Sequence, residues 1–166
     1  GSVDFAVAAA GLTLSPIAVI TPNLPSGGNT GLSVTALVND APLTGTPVNV
    51  AFSVSCGRIN GSDASAGGVS VTTNGSGVAT ATYTSVNTDG SLCSGDVNLS
   101  AAGAGAQTRS TKIVVAAPVA NAVAFVSAAP SQISVAGSGA AEQAVATFKA
   151  FAASGTPPPG VNVAFS

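Results

Sequence analysis

The sequence predicts an all-β fold, and both its composition and the spacing of its apolar residues lead to that prediction. Hydrophobic residues make up 46% of the 166 residues, but there is no Trp, no Met, one Tyr and only six Phe. A core must therefore be built mostly from Val, Ala, Leu and Ile on pleated surfaces. Several segments alternate apolar and polar residues, as half-buried strands do. No segment has a convincing 3.6-residue stripe, and the Ala-rich runs are too short to nucleate a helix.

Seven strands are predicted between Leu12 and Ala117. They cover residues 16–21, 32–39, 48–55, 67–73, 77–85, 96–102 and 108–115. The clearest alternation places four apolar side chains on one face of the second strand: Leu32, Val34, Ala36 and Val38. Seven short strands in roughly a hundred residues are typical of an immunoglobulin-like β-sandwich, in which two antiparallel sheets pack face to face.

A tight turn is predicted at Asn74-Gly75-Ser76, between the predicted strands at residues 67–73 and 77–85. The flanking segments, GGVSVTT and GVATATYTS, are both rich in strand-forming residues. Asn-Gly favours a hairpin turn because both positions tolerate positive φ. We therefore predict that these two strands pair with each other.

An internal repeat defines the domain organisation. The sequence GTPVNVAFS at residues 45–53 returns as GTPPPGVNVAFS at residues 155–166, so that VNVAFS recurs after 113 positions, from 48 to 161. Upstream, residues 122–126 correspond to the strand at 16–21. The inward face of the second strand corresponds to Ala144, Ala146 and Phe148. A period of this length is about one domain.

The repeat predicts one complete immunoglobulin-like domain at residues 12–117 and a partial second copy, with about three strands, at residues 118–166. Residues 118–120 are predicted to be a short linker. Residues 1–11 are expected to combine Gly1-Ser2, which is typical of a cloning remnant, with the last strand of a preceding domain. The basis for that strand is the similarity of VDFAVAAAG to KIVVAA at residues 112–117.

Three strands without an opposing sheet would expose an apolar face and open edges. We therefore predict that residues 121–166 are completed by strand exchange with a second copy of the chain, which would form a homodimer.

Charge is scarce, and this excludes some partners. Charged residues make up 6% of the chain, with a formal net charge of −2. The four basic residues, Arg58, Arg109, Lys112 and Lys149, are too scattered to neutralise a nucleic-acid backbone. No apolar run approaches the ~20 residues that span a bilayer, so no membrane insertion is expected in this segment. A polar but weakly charged surface favours an extracytoplasmic location.

The residues needed for catalysis or metal binding are mostly missing from the sequence. The chain has no His, which removes Ser-His-Asp and Cys-His nucleophiles and the commonest zinc ligand. Its acidic residues do not cluster, and Asp40, Asp63 and Asp89 are expected in turns. No calcium-loop motif is present. We therefore expect no catalytic residues, no cofactor, no metal site and no enzyme activity.

Two cysteines, Cys56 and Cys93, are predicted to form a structural disulfide. Cys56 ends the VNVAFSVS segment and Cys93 lies in the loop before DVNLSAA. Two cysteines in an exported chain favour a bridge. The alternative, a free reactive thiol, has no His or basic neighbour in sequence to activate it.

The strings GLSVTALVNDAPLTGTPVNVAFSVSCG, VTTNGSGVATATYTS and DVNLSAAGAG resemble bacterial immunoglobulin-like domains of the invasin and intimin type. Residues 32–55 and 71–84 carry most of this resemblance. It implies tandem repeats that act as a rod on a bacterial cell-surface or secreted protein. Some terminal copies of such rods bind host receptors. One departure is that Cys56 and Cys93 are not placed like the inter-sheet cysteines of antibody domains, and the Trp of those domains is missing.

We therefore expect a structural spacer or stalk module of an adhesin-like protein, with neighbouring repeats of the same chain as its partners. One alternative is a ligand-binding module whose loops at residues 58–68 or 85–95 contact a host protein or glycan. Another is an accessory domain of a secreted hydrolase.

Overall fold

A computed structural model describes residues 11–152, except Ala66 and Ala104, together with Gly155, Val163 and Ala164. These residues form strands, turns and loops and contain no helix, which confirms the all-β prediction. Two segments with predicted strands, residues 3–10 and most of residues 161–166, lie outside the described residues. The chain divides into two compact units, Gly1–Ala117 and Pro118–Ser166.

The described strands of the first unit range from two to ten residues, and those of the second unit have ten and eight. In the first unit they are β1 Leu12–Leu14, β2 Ala18–Val19, β3 Asn23–Leu24, β4 Asn29–Val38, β5 Ala41–Pro42, β6 Asn49–Val54, β7 Arg58–Ile59, β8 Ser62–Asp63, β9 Val69–Thr72, β10 Val78–Thr84, β11 Gly95–Gly103 and β12 Arg109–Val115. In the second unit they are β13 Ala120–Ala129 and β14 Val145–Ala152.

The strands of the first unit form two sheets. One sheet has the order β1-β4-β10-β7-β8, with β2 and β5 also paired to β4. The other has the order β3-β12-β11-β6-β9. The strand pairs in both sheets are antiparallel except for β3 and β12, which run parallel.

Both sheets contribute to one hydrophobic core. The strongest contributors are alternate residues of β4 and β6, as their sequence patterns predict: Leu32, Val34 and Ala36 in β4, and Val50, Phe52 and Val54 in β6. The same cluster takes in residues of the neighbouring strands, among them Leu14, Ala79, Tyr83, Val97, Leu99, Ala101, Ile113 and Val115. Two sheets that bury one row of side chains each in a shared core are consistent with a β-sandwich.

The strand predicted at residues 16–21 has different limits in the structure. Its place along β4 is taken by β1 and β2, which pair with the same edge of β4 in registers that differ by one residue, Leu14 opposite Ala36 and Ala18 opposite Ser33. Pro16 lies between them and lacks the N–H that a continuous ladder would need. The Ser15 hydroxyl replaces part of that ladder by accepting the Thr35 N–H at 2.9 Å.

The hairpin predicted around Asn74 is wrong, because the two strands that the turn joins belong to different sheets. β9 pairs with β6, whereas β10 pairs with β4 and β7. The turn itself is tight, since the Asn74 side-chain oxygen accepts the N–H groups of Ser76 and Val78 at 3.0 Å each. Positive φ falls on Gly77, where a Cβ would lie 2.5 Å from the Leu43 oxygen. The Asn-Gly signal therefore predicted a turn correctly but not the strand pairing.

The second unit is a two-stranded antiparallel ribbon of β13 and β14. Phe125 lies opposite Phe148 and Val123 opposite Ala150, with irregularities between Ala120 and Ala122 and between Phe125 and Ser127. Two of its three predicted strands are therefore present. The third, at residues 161–165, falls mostly outside the described residues, and Val163 and Ala164 are not in a strand.

The turn before β4 recurs 110 residues later, before β14. In the first unit the Gly28 N–H donates to the Pro25 oxygen at 2.9 Å, and Gly27 has a φ of 76°. In the second unit the Ser138 N–H donates to the Val135 oxygen at 3.1 Å, and Gly137 has a φ of 83°. Glycine is favoured at the third position of such a turn because φ is positive there. This spacing also relates Ala36 to Ala146.

Replacement of Phe52 by Ala tests the importance of the inter-sheet core. Phe52 is fully buried, so we expect the free energy of unfolding of the first unit to fall by about 3–5 kcal/mol. Tyr83 is the one Tyr of the chain and lies in this core, so its fluorescence reports the urea transition. The control is Phe125→Ala in the ribbon, for which the Tyr83 transition should move by less than about 0.5 kcal/mol. Equal effects of the two variants would contradict the assignment of the core.

Candidate functional site

The two loops proposed from the sequence as ligand contacts, residues 58–68 and 85–95, line one cavity of about 320 Å³ in the first unit. Its lining residues come from both loops and from the end of β6: Ser55, Cys56, Gly57, Asp63, Ser65, Asn87, Thr88 and Asp89. Arg58, the basic residue of the first loop, is not among them. The structure therefore brings the two loops together but leaves the cationic side chain outside the cavity wall.

The predicted disulfide between Cys56 and Cys93 is present beside this cavity, with the two Cα atoms 5.9 Å apart. Cys93 is buried in the hydrophobic core and Cys56 is half-buried against it. The bridge ties Cys56, the second residue after β6, to the loop that leads into β11. The alternative prediction of a free thiol is wrong for these two residues, because both are oxidised in the bridge.

Asn87 holds the two loops together. Its side-chain oxygen accepts the Gly57 N–H at 2.7 Å and lies 3.6 and 3.8 Å from the sulfurs of Cys56 and Cys93. Its side-chain nitrogen donates to the Ser91 hydroxyl at 2.8 Å, and its backbone N–H donates to the Ser91 carbonyl at 2.9 Å. The sequence analysis missed this role, since an Asn in a turn-rich stretch is expected to cap its own turn.

Gly57 forms the floor of the cavity and has no room for a side chain. Its φ is 91°, and a Cβ would lie 2.4 Å from the Thr84 oxygen and 2.8 Å from the Tyr83 ring. Tyr83 is fully buried below it, and within the described residues its hydroxyl has no hydrogen-bond partner. Burial disfavours the phenolate and raises the pKa of Tyr83 to about 12.

Two carboxylates, Asp63 and Asp89, lie at the exposed rim. Asp63 accepts the N–H and the hydroxyl of Ser65 at 2.8 and 2.7 Å, and Asp89 accepts the same groups of Ser91 at 2.9 and 2.6 Å. These hydrogen bonds favour the ionised form and lower the pKa of both groups. Both residues were predicted to lie in turns. Asp89 does, whereas Asp63 is the last residue of β8, and each carboxylate accepts the N–H of the residue two positions ahead of it.

The chemistry available in this cavity is limited to hydrogen bonding. Its wall offers hydroxyls, an amide and two carboxylates that already accept hydrogen bonds from neighbouring serines. Throughout the described part of the chain, no three His, Cys, Asp or Glu side chains come together in a way that could hold a metal ion. The cavity wall contains neither a cation nor an aromatic ring.

A larger, open groove of about 560 Å³ lies on the outer face of the sheet that contains β4 and β10. Ser33, Thr80 and Thr82 line it with short polar side chains, and Ile20 and Asn60 form its walls. A Cβ at Gly31 would lie 2.6 Å from the Ile20 Cδ1 atom, so the absence of a side chain at residue 31 lets Ile20 lie against β4. The groove has no charged residue in its lining.

No family model and no curated protein matches this chain. Among the described residues there is no helix long and apolar enough to cross a membrane.

Removal of the disulfide tests its contribution to stability. The bridge closes a loop of 37 positions, so we expect Cys56→Ala/Cys93→Ala to lower the free energy of unfolding by about 3–4 kcal/mol. Urea denaturation followed by Tyr83 fluorescence measures the loss. Reductant should destabilise the wild type by a similar amount and leave the double variant unchanged. A double variant as stable as the wild type would show that the bridge does not stabilise this unit.

The two rim carboxylates should respond differently to removal of their serine partners. The hydroxyl of Ser91 is the main cause of the lowered pKa of Asp89, whereas the backbone N–H of Ser65 is the main cause at Asp63. We expect Ser91→Ala to raise the pKa of Asp89 more than Ser65→Ala raises that of Asp63, as measured by NMR titration of the carboxyl carbons.

The sign of the pH dependence follows from the same shifts. The pKa of each carboxyl in the folded chain lies below the ordinary value of 3.8, so its stabilising effect is present above that pH. The effect is lost as the pH falls through the folded-state pKa.

Equal responses of Asp63 and Asp89 in the two variants would contradict the assigned causes.

Proposed function

We propose that this chain is a structural spacer, a stalk module of a bacterial cell-surface or secreted adhesin-like protein, built from immunoglobulin-like domains that resemble those of invasin and intimin. The observation that carries the proposal is the internal repeat. The sequence VNVAFS occurs in both units, and the Pro25–Gly28 turn recurs at Val135–Ser138. Repetition of one unit along a chain creates length without requiring a reactive site.

The sheet order of the first unit supports the immunoglobulin-like part of the proposal. The order β1-β4-β10-β7 is the one expected for strands A, B, E and D of that fold. The order β6-β11-β12 is the one expected for its strands C, F and G. β3 leaves the first sheet and pairs with β12, so the first strand of the unit is divided between both sheets.

Two features support an extracytoplasmic location. A disulfide between Cys56 and Cys93 persists most readily in an oxidising compartment. The surface relies on Ser, Thr, Asn and Gly, since only 6% of the residues are charged.

The pairing of β3 with β12 suits a unit that bears tension. The Val114 N–H donates to the Pro22 oxygen at 2.9 Å, and the Ala116 N–H donates to the Leu24 oxygen at 2.8 Å. The chain enters the unit before β3 and leaves it after β12, and the two strands are parallel. Tension along the chain therefore pulls them in opposite directions, and the hydrogen bonds that join them must break together. This pair is called the terminal clamp below.

The disulfide limits how far the unit can extend after the clamp breaks. The 37 positions between Cys56 and Cys93 stay closed, which withholds about 130 Å of extended chain. A spacer with this bridge keeps part of its fold under a force that opens the remainder.

A second candidate function, a binding module, has one observation in its favour. The two loops at residues 58–68 and 85–95 share a cavity wall, so one ligand is able to contact both. Protein contacts of this kind usually depend on Trp, Tyr or Arg anchors, and the wall contains none of them. The spacer is therefore the better-supported function, and the accessory-domain alternative stays a prediction.

Single-molecule stretching of the chain tests the terminal clamp. Ala116→Pro removes one of its N–H donors, so we expect the unfolding force of the first unit to fall by about a third. Ala116→Gly keeps the donor and serves as the control, with a force close to that of the wild type. Reductant should add about 130 Å to the extension released on unfolding. An unchanged force in Ala116→Pro would remove the mechanical support for a spacer.

A further inference from the structure

The ribbon of the second unit has one entirely apolar face. This apolar face consists of Val123, Phe125, Ala128, Ala146, Phe148 and Ala150, since opposite residues of an antiparallel pair share a face and alternate residues of a strand do so as well. The rings of Phe125 and Phe148 lie edge to face, with their centres 5.7 Å apart. Phe125 is 60% exposed and Val123 45% exposed. Apolar groups of this size are seldom grouped on a surface unless something binds there.

The other face of the ribbon is mixed in character. Thr147 lies opposite Ser127, and Lys149 lies opposite Ala124 with its amino group 5.4 Å from the centre of the Phe151 ring. Among the residues with a cross-strand partner, the polar and charged side chains therefore lie on one side. The contrast between the faces matches a sheet with one face in water and the other in a core.

The first unit shows which of its own faces corresponds to the apolar face. Ala146 corresponds to Ala36, which is fully buried, in the repeat of 110 positions. Phe148 corresponds to Val38 in the same spacing, and Val38 lies opposite Leu12, which packs against the core. The apolar face is therefore the equivalent of the core-facing side of β1 and β4. In the first unit that side is covered by the sheet that contains β6, β11 and β12.

The size of the apolar face argues against a second ribbon as its partner. A pair of strands of eight to ten residues presents a face of about 300 Å². A stable interface between separate chains buries about 800 Å² on each partner, so two ribbons placed face to face fall well short. In the first unit the equivalent face is covered by a five-stranded sheet of the same chain, and a contact within one chain does not bear the cost of association.

We propose that the apolar face binds an antiparallel β-sheet from a repeat of this same type, with the inner row of Val, Phe, Leu and Ile found in β6, β11 and β12. That sheet would complete the second unit as a sandwich. The chain carries the opening residues of this pattern, because VNVAFS at 161–166 is identical to residues 48–53, where Val50 and Phe52 belong to the core. The inference rests on the repeat in the proposed function but not on its mechanical part.

The test adds the proposed sheet to the chain. Residues 54–117 are appended directly after Ser166, so that the junction reproduces the natural sequence from residue 48 onward. Amide hydrogen exchange is measured in β13 and β14 of the 166-residue chain and of the extended chain. We expect exchange in both strands to slow at least about 100-fold on extension, since core strands open only with the whole unit.

Two charge substitutions on opposite faces of the ribbon give the matched comparison. In the extended chain Phe125→Asp places a carboxylate on the apolar face and should abolish the added protection. Thr147→Asp places the same charge on the mixed face and should leave the protection within about threefold of the parent. Similar losses in the two variants would overturn the proposal, because they would show that the protection does not depend on the apolar face.

Two other outcomes would also overturn the proposal. Unchanged exchange in β13 and β14 after extension overturns the proposal, whether or not the appended residues are themselves protected. Light scattering on the 166-residue chain tests the homodimer by strand exchange through residues 121–166. A dimer with a protected ribbon that Phe125→Asp converts to monomer would make a second copy the occupant and overturn the proposal. None of these results bears on the unfolding force of the first unit, so the spacer function is tested separately.

Discussion

The contact between the two sheets of the first unit is the interaction on which the rest of its structure depends. The chain has few large apolar residues, so its core is assembled from many small ones in two facing rows, with Phe52 and Tyr83 as the largest fully buried side chains. Each row is useful only when the opposite row covers it. The crossing at Gly77 and the departure of β3 from the first sheet both serve this arrangement, since each takes the chain from one layer to the other.

The end of the unit near the disulfide is a rigid polar cap on that core. Cys93 belongs to the core while its neighbours reach the surface, and Asn87 joins the two loops through the Gly57 N–H. Gly57 has to lack a side chain, because the Tyr83 ring and the Thr84 carbonyl occupy the space below it. The hydrogen bonds of this cap are mostly internal, between Asp and Ser or between Asn and backbone. These hydrogen bonds stabilise the conformation of the loops more than they orient groups toward a ligand.

The alternation of apolar residues was sufficient to predict the inner rows of β4, β6 and β11, because the period of a strand is local and each row faces one core. The pairing of the strands was harder to predict from the sequence, as the turn at Asn74 shows. Its turn is encoded locally, but the partners of β9 and β10 are decided by strands far away in sequence. The sequence contains Pro16, but it did not predict that the register of the pairing with β4 changes there. Asn87 gave no signal, since its role depends on the approach of Gly57, thirty residues earlier in the chain. The repeat, by contrast, was readable from sequence and reappears as the turn at Gly137.

The edges of the sheets differ sharply between the two units. In the first unit the edge strands β1, β2, β3, β8 and β9 are only two to four residues long. Pro16 interrupts one edge, and β12 carries Arg109 and Lys112 where β3 does not reach it. Short, interrupted or charged edges offer a poor template for another chain. β13 and β14 are ten and eight residues long, and in the described ribbon each of them has an unpaired side. We therefore expect aggregation of this protein to begin at the ribbon, however stable the first unit is.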